Sequence, residues 1–514
     1  MQHAEAASLG RRTAIGAIWM IAWRLTTRLL GMVSTLVLAR ILMPSDFGLV
    51  SMATGFAAAI EGLSALGLDD ALIRNTEVDR RLYDTAFSMQ AIRALANAAI
   101  VALMAGPASA WFQEPRLVPI LLVLAALTVL SGFENMGTVE FRRNLQFSKE
   151  FLLFFMPRIV SVVSTITACL LLRSYWALLI GTTASKLMRL VTTYLIHPYR
   201  PRFGIARWRD LVGFSFWTWM TGLATLVWER SDMFIVGRAV GPETLGLMIV
   251  AGEIATMPIT EFVSPATRAL YAGVSAAWRN GANIAGFALA IALCMLLLTL
   301  PLTIAVSAAS GPITDVLLGS RWLAAQPLLA ISAWYCVFSV VSHICGSVLN
   351  ASGRVRENFF VLTAASTARI GLVTTTVLFT QRPSPIVVVG VVVGMIEALF
   401  FTARIIQLDR KSENFRAQIR HYRDGAARMA LSGAASMGLL YYLNIGWTSA
   451  GDATIAAILK GAFVGLTAVA SFAVTQFVQW SIAGWPNGPE SRIAELVASF
   501  IPPRFIRLWR PKPV

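Results

Sequence analysis

The chain is a succession of long apolar runs joined by short polar links. A hydrocarbon core about 30 Å thick is crossed by roughly 20 apolar residues in helical form. Runs of that kind lie at about 13–39, 46–66, 83–106, 117–139, 151–173, 176–197, 211–237, 245–266, 284–309, 324–349, 359–380, 385–407, 428–446 and 455–479. Helices satisfy their own backbone groups in lipid. The fourteen runs therefore predict an all-α polytopic membrane protein. The last two are interrupted by a polar break at Asn444 and Asp452. The longest link, 404–428, spans roughly 25 residues, too few for a soluble catalytic domain. The first apolar run is long, so it reads as a retained helix and not a cleaved signal.

Composition agrees. Hydrophobic residues make up 56% and charged residues 14%, whereas soluble domains carry about 25% charge. A disordered chain, a disulfide scaffold and an ordinary soluble enzyme are excluded. The four cysteines, Cys169, Cys294, Cys336 and Cys345, all lie in apolar runs and read as small core residues. The four histidines are scattered, so neither a metal nor a cofactor is expected.

A net charge of +16 could suggest nucleic acid, but its distribution argues otherwise. With the N-terminus placed inside, 28 of the 43 lysines and arginines fall in inner segments and 6 in outer links. That asymmetry is the positive-inside pattern. It predicts cytoplasmic N- and C-termini and a basic skirt that contacts anionic membrane lipids. Glu490 to Phe500 places Ile493, Leu496, Val497 and Phe500 at helical spacing, which predicts either an amphipathic helix on the inner surface or a solvated tail.

The chain also repeats. Residues 39–53 read ARILMPSDFGLVSMA and residues 237–251 read GRAVGPETLGLMIVA. At an offset of 198, Arg40, Pro44, Gly48, Leu49 and Ala53 match Arg238, Pro242, Gly246, Leu247 and Ala251. Each segment links the first two helices of a six-helix block. The implied architecture is an N-terminal lobe (1–200, helices 1–6) and a second lobe (201–410, helices 7–12). Helices 13–14 (411–484) and a basic cytoplasmic tail (485–514) follow. Two six-helix blocks with the same orientation are parallel repeats, an arrangement suited to transporters whose halves rock about a central cavity.

Charges within the spans are costly and read first as functional. Helix 1 carries Arg24 and Arg28 on one face, continued by Thr27, Gly31, Ser34 and Thr35. Helix 7 carries Thr218, Thr221, Gly222, Thr225, Glu229 and Asp232 on the equivalent face. The pattern predicts a wet cavity with an anion-binding wall, because the arginine fork suits phosphate. Substrate-binding candidates are Arg24, Arg28, Thr27, Arg93 and Arg369; ion-coupling candidates are Glu229 and Asp232. The remaining intramembrane charges are Arg158, Lys186, Arg189, Arg230, Lys460, Glu61, Glu134, Glu253, Glu261 and Glu397. For Glu61, Glu134, Arg158 and Glu261, near the inner boundary, pairing within the bundle is the better expectation. Asp46-Phe47-Gly48 spells the kinase magnesium triplet, but no glycine-rich or catalytic loop accompanies it. No P-loop, nucleophile elbow or metalloprotease helix is present.

ARILMPSDFGLVSMA, with ALGLDDALIR (65–74), ERSDMFIVGRAVGPETLGL (229–247) and LNASGRVREN (349–358), resembles Wzx-type oligosaccharide flippases. These belong to the multidrug/oligosaccharidyl-lipid/polysaccharide exporter superfamily. The resemblance covers about residues 10–410. It implies a bacterial inner-membrane protein that is not an enzyme. Such a protein flips undecaprenyl-diphosphate-linked oligosaccharide repeat units from inner to outer leaflet by alternating access. The product serves exopolysaccharide, capsule or O-antigen (lipopolysaccharide) assembly. The resemblance also implies that Arg24 and Arg28 bind the diphosphate, and that a polysaccharide polymerase and export machinery are partners. Two alternatives stand beside it. The acidic stripe of helix 7 would suit a cation-coupled multidrug exporter, and a membrane-embedded polymerase or ligase would need a larger outer loop than any here.

Overall fold

The computed structural model describes residues 26–27, 30–31, 33–64, 67–74, 79–144, 146–211, 216–257, 284–409, 413–447 and 454–500. Among them there are helices and connections but no strand. The chain divides into two compact units, Met1–Gly246 and Leu247–Val514.

The first unit begins with helix α1, whose continuous stretch is 33–41. It is followed by α2 (Pro44–Leu63), α3 (Leu68–Arg74), α4 (Arg80–Phe112), α5 (Leu117–Gly132), α6 (Val139–Arg143), α7 (Phe147–Leu172), α8 (Trp176–Ile196), α9 (Trp208–Leu211) and α10 (Phe216–Val240). Helix α11 (Pro242–Ala255) crosses from one unit to the other. Local chemistry sets the boundaries. Pro44 opens α2, where a missing amide costs nothing, and Asp46 Oδ2 accepts from the Met43 amide at 3.0 Å. The Asp-Phe-Gly triplet thus begins with a helix-start carboxylate. Asp79 caps α4 by accepting from the Leu82 amide at 2.9 Å. Helix α5 meets the next helical segment at 63°. Asn135, 1% exposed, holds that bend by accepting from the Gly137 amide at 2.9 Å and donating to the Tyr199 carbonyl at 2.7 Å.

The Pro-x-x-x-Gly segments of the internal repeat touch each other within this unit. A Cβ at Gly48 would overlap the Pro242 carbonyl oxygen, and a Cβ at Gly246 would overlap that of Pro44. The contact is reciprocal: each glycine lies under the other segment's proline carbonyl. It continues as α10 packs along α2, with Met233 over Gly55, Leu226 over Gly62, and the Phe56 and Phe234 rings 6.1 Å apart. This packing carries the first unit past residue 200.

The second unit comprises α12 (Ile284–Ala308), α13 (Ser310–Ile313), α14 (Gln326–Ser332), α15 (Tyr335–Ala351), α16 (Val355–Phe379), α17 (Pro383–Asp409), α18 (Glu413–Tyr442), α19 (Thr454–Ile482) and α20 (Pro489–Phe500). Helix α12 is its core; Ala285, Ala288, Ala292 and Ile304 are almost fully buried against α15 to α19. Small residues let these backbones approach closely, as lipid-embedded packing requires. Helix α18 ends where Asn444 turns left-handed (φ 51°), at the polar break read from the sequence.

The segment around Glu490 is a helix with a buried foot, not a simple solvated tail. Arg428 Nη2 meets Glu490 Oε1 at 2.8 Å, with side chains 13% and 3% exposed, and Gln476 donates to the same oxygen at 3.0 Å. Six described helices are long and apolar enough to cross a membrane, or eight if each bent pair is one span. All eight coincide with spans read from the sequence. Runs 46–66, 176–197, 211–237 and 428–446 are also helical, in α2, α8, α10 and α18. Run 245–266 is helical in α11 as far as Ala255, and its part after residue 257, which includes Glu261, lies outside the described residues, as does most of run 13–39. Cys169, Cys336 and Cys345 are buried and Cys294 is half-buried, all as free thiols.

Candidate functional site

Four helices of the first unit place polar side chains at one level. On α4, Gln90, Arg93 and Asn97 share a face, since residues three and four apart are neighbours. Gln90 donates to the Ser131 carbonyl of α5 at 2.9 Å, and Asn97 to Ser64 Oγ at 2.7 Å. Thr128, one turn before Ser131, donates to Glu61 Oε1 of α2 at 2.9 Å. Lys186 Nζ of α8 donates to Ser131 Oγ at 2.7 Å, and Arg189 pairs with Glu134 at 2.8 Å. Ser131 is therefore approached by α4 through its carbonyl and by α8 through its hydroxyl.

The charges of this layer do not cancel. Arg189 has Glu134. Arg93 is half-buried, its Nε is enclosed, and it forms neither a hydrogen bond nor an ion pair among the described residues. Lys186 has a hydroxyl for a partner there, not a carboxylate. Glu61 is answered by a threonine. A guanidinium held in an apolar helix without a counter-ion is expensive. Such a layer has capacity for an anion: Arg93 supplies a planar fork and Lys186 a point charge.

Helix α1 joins the layer's surroundings through α7. The guanidinium of Arg158 lies over Gly31, where a Cβ would overlap it. At Gly31 the helix 1 stripe is therefore covered by an arginine from α7. Arg189, beyond its bond to Glu134, sits 5.1 Å from the Phe154 ring.

The sequence candidates are distributed as follows. Arg24 and Arg28 lie outside the described residues. Thr27 is helical and half-buried, and Arg93 sits in the layer. On α10, Glu229 is exposed and Asp232 half-buried, while Gly222 faces open space. Arg369 belongs to the second unit, where it lies beside Gly390 of α17 and acts electrostatically on Glu397, itself 5% exposed. Lys186 was not among the sequence candidates. Its signal was present, an intramembrane cation one turn from another, but the hydroxyl it meets is 55 residues away.

Beyond the spans, residues 197–211 are tied to the start of α4. Tyr199 Oη donates to Asp84 at 2.5 Å, the Arg202 amide reaches the same carboxylate, and Arg207 bridges Asp79 and Asp210 at 3.0 and 2.7 Å. The Leu82 amide, then Arg207, hold Asp79 below its ordinary value. Burial, with the bond to Asp84, pushes the Tyr199 phenol up. Among the described residues no group of three or more His, Cys, Asp or Glu side chains could hold a metal.

The chain is 24% identical over 317 residues to the succinoglycan biosynthesis transport protein ExoT of Rhizobium meliloti (61% of this chain, 64% of that one). It is 21% identical over 300 residues to the teichuronic acid biosynthesis protein TuaB of Bacillus subtilis (57% and 62%). It is 21% identical over 363 residues to the lipopolysaccharide biosynthesis protein WzxC of Escherichia coli (68% and 72%). The match thus spans a little under two thirds of the first two relatives. The fold is that of the lipid II flippase MurJ in its inward closed conformation: TM-score 0.69, 14% identity, 91% of this chain and 99% of that one. An inward-facing multidrug resistance MATE transporter of the MOP superfamily follows, with TM-score 0.58, 15% identity, and 75% and 96% covered. A model of the polysaccharide biosynthesis protein family matches residues 37–327, more than half of the chain, and the protein belongs to that family.

Proposed function

We propose that the protein flips undecaprenyl-diphosphate-linked oligosaccharide repeat units from the inner to the outer leaflet of the bacterial inner membrane. They would feed exopolysaccharide, capsule or O-antigen assembly. The observation that carries the reading is Arg93, half-buried with its Nε enclosed and without a counter-ion among the described residues, in a layer that also holds Lys186. A diphosphate is the kind of group that would make such charges tolerable. Arg24, Arg28 and Thr27 of helix 1, and Arg369 of the second lobe (201–410), are the further residues proposed to bind the diphosphate. Glu229 and Asp232 couple an ion, if one is used. Both termini lie in the cytoplasm, and a polymerase and export machinery receive the product.

The relatives' roles in succinoglycan, teichuronic acid and lipopolysaccharide biosynthesis support this reading. Its energetics need no nucleotide. Two negative charges leaving a negative-inside cell across 100 mV gain about 4.6 kcal/mol. In alternating access the oligosaccharide occupies the wet cavity and the lipid tail stays in the bilayer. The test is the double variant Arg24→Ala/Arg28→Ala. It should insert and fold while polymer export is lost; export at the normal level would remove the helix 1 anion site. The exposed Glu229 favours a second reading, export of cationic drugs. That reading predicts drug resistance on overexpression with polysaccharide unchanged.

A further inference from the structure

The second unit contains a cavity of about 520 Å³, within the usual size range of small-ligand sites. It lies where α12 ends and α14 and α17 begin, and Met437 of α18 closes one side. The side chains that matter are Ser310, Trp334, Val388, Val391, Val392 and Trp447. Val388 and Val392 line the cavity and are also exposed, 43% and 38%. They belong to an exposed apolar stripe on α17, continued by Met395 and Leu399 at helical spacing. In a helix of this hydropathy the stripe faces hydrocarbon, so the cavity opens toward the bilayer.

The opposite wall is built, not accidental. Trp447, in a left-handed conformation (φ 57°), is pinned by three hydrogen bonds. Its amide donates to the Ala308 carbonyl at 2.8 Å, its indole to Ser307 Oγ at 3.3 Å, and its carbonyl accepts from Gln326 at 3.0 Å. Against this lining stands one anomaly. Ser310 is fully buried, lines the cavity, and its Oγ makes no hydrogen bond among the described residues. A buried hydroxyl without a partner loses roughly 1–3 kcal/mol, and an oxygen acceptor in the cavity would restore it.

We propose that this cavity binds one acyl chain of a membrane glycerophospholipid, with an ester oxygen accepting from Ser310. Volume selects the chain. At about 30 Å³ per group, the share of a water molecule in its liquid, the cavity holds about 17 methylene-sized groups. That is one acyl chain; a polyprenyl carrier is several times longer. The site is therefore distinct from the anion layer of the first unit.

The test needs no transport. The full-length protein is reconstituted in phosphatidylethanolamine vesicles doped with phosphatidylethanolamine bearing a mid-chain diazirine, irradiated and mapped by mass spectrometry. Adducts should concentrate at 326–334 and 388–392. Ala330→Phe and Val391→Phe, two independent ways of filling the space, should each lower them about tenfold, the equivalent of roughly 1.4 kcal/mol of lost binding. Either variant suffices if the other fails to insert. A parallel arm uses a diazirine-bearing polyprenyl phosphate. Labelling of these segments by that probe alone would overturn the acyl assignment. Adducts spread over the lipid-facing surface, or unchanged in the filled variants, would overturn the site.

Discussion

Arg93 is where the fold forgoes stability. Membrane helices rarely keep a cation without an acid, and here Glu134 serves Arg189 while Glu61 bonds Thr128. Stability and function should therefore separate at this side chain. Arg93→Ala removes an uncompensated charge, so the melting temperature in detergent should hold or rise, as when a strained functional group is removed. Polymer export should fall about tenfold or more, because a charge-assisted hydrogen bond contributes roughly 1.5–3 kcal/mol. A fall in melting temperature with export intact would make Arg93 structural. Arg369 shows what sequence alone conceals. Its place inside a span was readable, but Glu397, the charge it acts on, lies on the facing helix, 28 residues on. Intramembrane position announces a charge; only packing names its neighbour.

Among the elements, the paired Pro-x-x-x-Gly segments and the C-terminal helix are the most exacting. Gly48 and Gly246 each lie under the other's proline carbonyl, so neither has room for a side chain. Gly48→Val should cost about 1–3 kcal/mol by overpacking, read as a lower melting temperature; an unchanged one would mean that the segments do not touch. Helix α20 is anchored by a buried ion pair. Glu490→Gln leaves Arg428 buried without its counter-ion and should cost about 3–5 kcal/mol. The double change Arg428→Met/Glu490→Leu should recover much of that, and failure to recover would point to a role beyond anchoring. Helix positions were legible because a bilayer demands a fixed apolar length. The Pro and Gly matches marked the repeat, since each residue type constrains the backbone, but not that its two segments touch. The bends were not legible. The 63° turn after α5 depends on Asn135 reaching Tyr199, 64 residues on, and periodicity carries no such information.

For the molecule as a whole, family membership and the MurJ-like fold agree with the apolar pattern. Fold alone does not choose a substrate, because multidrug transporters share it. The proposed choice rests on charge, since Arg93, without a counter-ion among the described residues, suits an anionic headgroup. The most direct measurement is flipping in proteoliposomes that contain the full-length protein and an undecaprenyl-diphosphate-linked oligosaccharide with a fluorescent sugar. A membrane-impermeant quencher reads the leaflet. The account predicts protein-dependent loss of label from the starting leaflet, faster when the membrane potential draws negative charge across and abolished in Arg24→Ala/Arg28→Ala. Label that stays in its leaflet with folded wild-type protein, or that moves equally fast in the double variant, would contradict it.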